Sequence, residues 1–455
     1  MRHHPELARQ EARAVDQLIP SLSILVEAFR PCFRHEVFAT FQHLLVGWIL
    51  CPGPRTLSEV WQATGRAGTH HWDTAYSFFA SARWDWDDLG KILALVVVAR
   101  LIPTGVIWVV VDDTLCHKRG AKVAFGGFFL DAVHSSKSHK TFRCGVNWVV
   151  VGLAVHLPFR PDRYVTLPVV WRAYRKVGTD GHKTRTALAA EMGRMVAGWL
   201  PDRECWLVGD NAYLNGTVLA DRPANLRVIG PLRWNAVLNA LPPVRVPGTR
   251  GRPRKKGERL PTPKQVIEDP VGYPATEREV ALAGTTRRLR VQVVRDVLWY
   301  SGSKTEPMTV VLVRDRTGGW RDEVLLATSP DVSGEFVING YSRRWSIEVV
   351  FRESKQLLGL HDPQVRTAPS VERAHPMAWF VQTLSVVWYA SAPRECAEVT
   401  RDRPWYTTTT TPTFADMLGV LRLQHWDQQF STELGNGAEP TKFLNSLKNW
   451  LAAVR

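Results

Sequence analysis

The chain has 455 residues, 45% hydrophobic and 22% charged, a balance that supports a large packed core and excludes an intrinsically disordered chain. Its net charge of +15 exceeds what solubility requires and points to a polyanionic partner, nucleic acid ahead of an anionic membrane. The six cysteines, Cys32, Cys51, Cys116, Cys144, Cys205 and Cys396, are scattered without a CxxC pair, which argues against a zinc cluster and predicts reduced, mostly buried thiols.

The opening stretch, MRHHPELARQEARAVDQLI, mixes charges early and lacks the apolar core of a secretory signal. Residues 1–100 read as helical and form a candidate DNA-binding region. RHEVFATFQHLLVGWIL repeats apolar residues at helical spacing, TLSE at Thr56–Glu59 is a capping box, and HWDTAYSFFASARW supplies a further helix. The most apolar run, ILALVVVARLIPTGVIWVVV from Ile92, is broken by Arg100, Pro103 and Gly105. It reads as helix, turn and buried strand rather than a membrane span. A soluble intracellular protein, cytoplasmic and nucleoid-associated, is the expectation.

From residue 101 to about 232 the pattern is α/β. GVIWVVVDDT reads as a buried strand ending in two aspartates, and strand-like runs follow at FGGFFLDAV, VNWVVVGLAVHL and YVTLPVVWRAY. The amphipathic helix TRTALAAEMGRMVAGWLP precedes a second buried strand, ECWLVGDNAYL, with Asp210 at its end. A short helix, NGTVLADRP, leads to the strand NLRVIGPL. Residues 233–338 interrupt this core. They begin with a Pro- and Gly-rich basic arm, in which seven basic residues face only Glu258 between Arg245 and Arg259. Arg252, Arg254, Lys255 and Lys256 there are candidate phosphate contacts. Antiparallel strands follow the arm. Residues 339–400 complete the core, and residues 401–455, with the tract TTTTTP and a helix from Thr413, form a C-terminal helical region.

The core's last part opens with YSRRWSIEVVFRESK. At about 100° and ~1.5 Å per helical residue, Tyr341, Arg344, Glu348, Arg352 and Lys355 fall on one stripe roughly 20 Å long. Glu353 leaves that stripe. Three carboxylates then stand out: Asp113, Asp210 and Glu348. Phosphoryl transfer on a nucleic-acid backbone suits two divalent ions ~3.5–4 Å apart, and hard carboxylate oxygens favour Mg²⁺, with Mn²⁺ as a substitute. Neighbouring strand residues point to opposite faces, so Asp112 and Asp113 cannot both face one ion within a strand, and the residues alone leave the choice open.

Tyr341, Arg344, Glu348 and Lys355 match the Y-(2)-R-(3)-E-(6)-K signature of the IS4-type DDE transposases, and the segment resembles above all the IS701 family. VDDT at 111–114 and LVGDNAY at 207–213 look like that family's two aspartate segments. The resemblance implies that the aspartate directly before Thr, Asp113, is the first metal ligand, with Asp210 and Glu348 the others. It implies a ribonuclease H-like core interrupted by a mainly β insertion, between helical N- and C-terminal regions. It further implies Mg²⁺-dependent excision of a DNA element and joining of its ends to target DNA. The partner is then double-stranded DNA, both element ends and target, handled by a homodimer in a synaptic complex, with no membrane. Tyr341, Arg344 and Lys355 would hold phosphates near the cut, and Trp299 is a candidate for stacking on a displaced base. A domesticated, non-catalytic DNA-binding protein and a nuclease without strand transfer are the alternatives.

Overall fold

The computed structural model describes residues 18–65, 70–120, 122–136, 138–245, 252–282, 284–315, 317–319, 321–391 and 411–435. The first 17 residues, the middle of the basic arm at 246–251, most of the threonine tract and the last twenty residues lie outside the described residues, as does Cys396.

Among the described residues five α-helices come first: α1 (Pro20–Glu27), α2 (His35–Leu50), α3 (Leu57–Ala63), α4 (Asp73–Ala80) and α5 (Trp86–Leu101). The Thr56 hydroxyl accepts the Glu59 N–H at 3.3 Å and starts α3, while the Asp85 carboxylate takes the Asp87 N–H at 2.7 Å and starts α5. A turn then leads into β1 (Ile107–His117). Among the described residues no helix is long and apolar enough to cross a membrane.

Among the described residues one sheet of eleven strands carries the rest. The further strands are β2 (Gly127–Leu130), β3 (Phe142–Leu157), β4 (Arg160–Ala173), β5 (Cys205–Val208), β6 (Leu226–Pro231), β7 (Asn239–Ala240), β8 (Thr276–Leu282), β9 (Thr285–Leu298), β10 (Met308–Arg314) and β11 (Glu323–Ala327). The order is β2-β3-β1-β5-β6-β11-β10-β9-β7, with β4 paired to β3 and β8 to β9. Among the described strands only β1, β5 and β6 run parallel. Their continuous apolar runs are those of strands covered on both faces. The strands of residues 276–327, expected in an interruption of the core, join the core's own sheet, because β11 pairs antiparallel with β6 and satisfies its free edge.

Helices dress this sheet. Helix α6 (Arg185–Trp199) packs on β3 and β1, and the short α7 (Gly216–Leu219) links β5 to β6. Helix α8 (Pro263–Glu268) lies within the strand-rich segment, opened by a capping box between Thr262 and Gln265. Helix α9 (Gly334–Ser342) packs on β8, β11 and β6, and α10 (Trp345–Leu357) on β4 and β1. A Cβ at Gly340 would meet the Trp108 ring at 2.5 Å, so only glycine lets α9 lie this close to β1. After α11 (Ala368–Ala374), the buried α12 (Met377–Ser391) covers β4, and α13 (Phe414–Gly435) packs on α12. Aromatic contacts tie the first helices to α12 and to the sheet: Phe41 meets Phe380 of α12 at 5.6 Å, and Trp86 meets Trp171 of β4 at 5.0 Å.

Candidate active site

The strand expected to end at the aspartates instead continues four residues further, to His117, because β3 pairs with it throughout. Only its parallel neighbour stops: β5 ends at Val208, opposite Val110. Asp112 and Asp113 therefore emerge where the sheet opens on one side, next to the loop that carries Asp210.

Strand alternation sends the two carboxylates to opposite faces. Asp113 faces the start of α6. It accepts from the Asn147 amide at 3.0 Å and the Tyr213 hydroxyl at 3.0 Å, and the Arg185 guanidinium lies 3.5 Å away. Asp112 faces the start of α10. Its Oδ2 lies 3.4 Å from Arg344 Nη1, and its Oδ1 accepts the Asp113 N–H at 2.8 Å. Burial pushes the Asp112 carboxyl up to about 7; the charges of Asp113 and Asp210 add to this, and the Asp113 N–H and Arg344 oppose it.

Asp210 sits two residues past β5. Its Oδ1 accepts the Ala212 N–H at 2.8 Å, and its carbonyl accepts the Tyr213 N–H at 3.0 Å. Tyr213 is buried, and burial together with the carboxylates Asp113, Asp112 and Asp210 holds its phenol well above the ordinary range. A cavity of about 690 Å³ joins Asp210 to Arg233, Tyr341 and Arg344. A second, of about 810 Å³, joins Asp210 and Asn211 to Trp299. Trp299 is thus neither fully buried nor remote from the acidic centre.

The run from Tyr341 to Lys355 is not one helix. It breaks between Ser342 and Trp345, with Arg343 and Arg344 at the junction still in right-handed helical backbone. The break turns both arginines inward. Arg343 is sandwiched between Trp108 and Tyr164, at 4.1 and 4.0 Å from their ring centres. Arg344 Nη1 bonds Glu348 Oε1 at 2.9 Å, so one nitrogen touches the carboxylates of both Asp112 and Glu348. Tyr341 is buried with the Arg344 charge beside its phenol, which places it behind the arginine rather than at the surface. Glu348 and Arg352 are exposed. Lys355, at the far end of α10, lies among Cys116 and Asp131, and burial lowers its amine's pKa.

Sequence reasoning missed Trp345. Its indole is 56% exposed in the first turn of α10, with the Arg344 guanidinium 4.6 Å from its ring centre. The signal was present, since Trp345 lies three residues before Glu348 on the same helix. Of the arm, Arg252, Arg254, Lys255 and Lys256 are all exposed, and Lys256 lies 5.2 Å from the Tyr300 ring centre, beside Trp299.

Glu353 points away from this centre and accepts from the Gln382 amide of α12 at 3.1 Å. Burial raises its carboxyl to about 7. A folded pKa above the unfolded one means that ionisation disfavours the fold. Stability tied to Glu353 is complete below about pH 4.5 and falls as pH rises through about 7. Glu353→Gln is expected to stabilise the protein at pH 8 by on the order of 2 kcal/mol and to have little effect at pH 4. Denaturant melts at both pH values measure this, and an equal gain at both would refute the burial argument.

Among the described residues no three His, Cys, Asp or Glu side chains stand close enough together to hold a metal ion as placed. The positive charge between Asp112 and Glu348 is instead the Arg344 guanidinium. The donor chemistry nonetheless fits a hard divalent ion, because the ligands that Asp112, Asp113, Asp210 and Glu348 offer are carboxylate oxygens.

The family model described as DDE superfamily endonuclease matches residues 28–306. That span includes Asp112, Asp113 and Asp210 and ends before Glu348. No curated protein matches the chain. Among solved structures, the piggyBac transposase synaptic complex with hairpin DNA, determined by cryo-EM, aligns with a TM-score of 0.44 at 10% identity. The alignment covers 96% of this chain and 82% of that one.

Proposed function

Because the chain belongs to the DDE superfamily endonucleases, we propose that it is a DNA transposase that excises an element at its ends and joins it to target DNA. The observation that carries this reading is the convergence of carboxylates from three separate elements. Arg344 contacts both Asp112 of β1 and Glu348 of α10, and the same arginine shares a cavity with Asp210. Simple DNA binding has no use for carboxylates gathered amid a basic surface. Endonucleases of this superfamily use divalent metal ions. Two Mg²⁺ ions, with Mn²⁺ as a substitute, would activate the attacking hydroxyl and stabilise the leaving oxygen. Asp210, Glu348 and the aspartate pair at 112–113, with Asp113 favoured by the family resemblance, would hold them.

The chain's own residues do the rest. Arg344, freed from Glu348, offers a planar fork to a phosphate next to the cut, and Tyr341 behind it fixes its direction. Arg352, Lys355 and the arm residues Arg252, Arg254, Lys255 and Lys256 carry flanking phosphates. Trp299, in the cavity with Asp210, is placed to stack on an unpaired base. In this reading the core is ribonuclease H-like and of the IS701 kind, with residues 1–100 binding duplex DNA, 233–338 inserted between the two parts of the core (101–232 and 339–400), and 401–455 as a helical end. Two copies would act on paired element ends, in the cytoplasm at the nucleoid.

The test uses a plasmid carrying the gene with its flanking DNA, incubated with the protein in Mg²⁺ or in chelator. Metal-dependent breaks at the element boundary followed by joined products are expected. Binding with no metal-dependent cleavage would replace this reading with that of a DNA-binding protein. Cleavage with no joined product would leave a nuclease.

A further inference from the structure

We propose that the two adjacent aspartates divide the work: Asp112 is the first carboxylate of the reacting centre, and Asp113 is a positioning residue that fixes the Asp210 loop through Tyr213. The proposal rests on the metal-dependent reading above and departs from the family resemblance, which favours the aspartate next to Thr114.

Carboxylates that share an ion must share a face. Glu348 projects from α10, and the aspartate on that side of β1 is Asp112. Trp108, four residues earlier on the same face, packs against Phe336 of α9 at 5.0 Å. The shared Arg344 nitrogen makes the link direct. For Asp113 to reach Glu348, β1 would have to turn over. That would exchange the two sides of Val109, Val110 and Val111, all fully buried and held in register by β3, the first two by β5 as well.

Asp113 is also occupied. Its Oδ1 takes the Tyr213 hydroxyl, and its Oδ2 takes the Asn147 amide with Arg185 close by. These donors suit a carboxylate that holds protein in place, and the arginine beside it opposes a second cation. Tyr213 carries the effect onward. It is 2% exposed, and its N–H bonds the Asp210 carbonyl. Gly209 lets it approach β1: a Cβ there would lie 2.7 Å from the Tyr213 Cβ and 3.0 Å from Val111. A continuous strut therefore runs from β1 through Asp113 and Tyr213 to the backbone of Asp210.

The two halves are tested on the full-length protein with readouts that need no turnover. In metal-free protein, Asp113→Ala and Tyr213→Phe are expected to speed amide hydrogen exchange at residues 209–215. Asp113→Asn should restore protection, because its amide oxygen still accepts from Tyr213, and Asp112→Asn should change nothing there. In calorimetric titration with Mn²⁺, Asp112→Asn should weaken binding by at least about tenfold, and Asp113→Asn by much less. Loss of Mn²⁺ binding in D113N with retention in D112N would overturn the assignment, as would equal loss in both. Unchanged exchange in D113A and Y213F would remove the strut. Wild-type protein that binds no Mn²⁺ would sink the metal-dependent reading itself and, with it, the ligand role of Asp112.

Discussion

Glu348→Gln should still bind DNA while its cleavage and joining both fall by at least about 100-fold, roughly what loss of a key electrostatic group costs an active site. Glutamine keeps the size of the side chain, and its carbonyl oxygen can still accept from Arg344, now 2.9 Å from Glu348. What it removes is the charge a divalent ion would need. Binding survives because phosphate contacts are spread over a chain of net charge +15. The control is E353Q: it sits on the same helix but bonds Gln382 of α12, away from the acidic centre. Rates on end-containing DNA, measured beside gel shifts, decide the matter. An E348Q protein cutting at near the normal rate, or a dead E353Q, would show that α10 had been assigned the wrong working face.

The second large effect is expected from the basic arm. Replacing Arg252, Arg254, Lys255 and Lys256 together with alanine should weaken duplex binding by about 10- to 1000-fold at ~0.15 M salt. It should also lower the slope of log K against log salt by up to ~3.6, since each phosphate contact contributes about 0.9. The fold should be unaffected, because the four side chains are exposed and the arm is anchored by its backbone. The Gly257 N–H bonds the Ala240 carbonyl at 2.9 Å, and the Ala240 N–H bonds the Glu258 carbonyl at 2.8 Å. Fluorescence anisotropy on a labelled duplex across a salt series gives both quantities. An unchanged slope would mean that the arm is only a solvated loop.

Local chemistry is legible in the amino-acid sequence by itself. The Thr56 cap, the break at Pro103 between α5 and β1, the amphipathic α6 and the buried β5 ending just before Asp210 all follow from residues within one or two turns of one another. The same is true of the polyanion-seeking charge and of the spacing from Tyr341 to Lys355. The tertiary structure decided what depends on distant partners. Pairing with β3 carries β1 past its aspartates to His117, and pairing with β6 draws β11 into the core sheet. The junction at Arg343 and Arg344 splits the expected helical stripe, sending Tyr341 inside and leaving Lys355 in a separate pocket of charge. The facing of the aspartate pair depends on Arg344, 232 positions away in the chain, and on Tyr213, 100 away. Strand alternation states that Asp112 and Asp113 face oppositely, but which face becomes the acidic one is set by the helices packed on each side, and no local pattern encodes that packing.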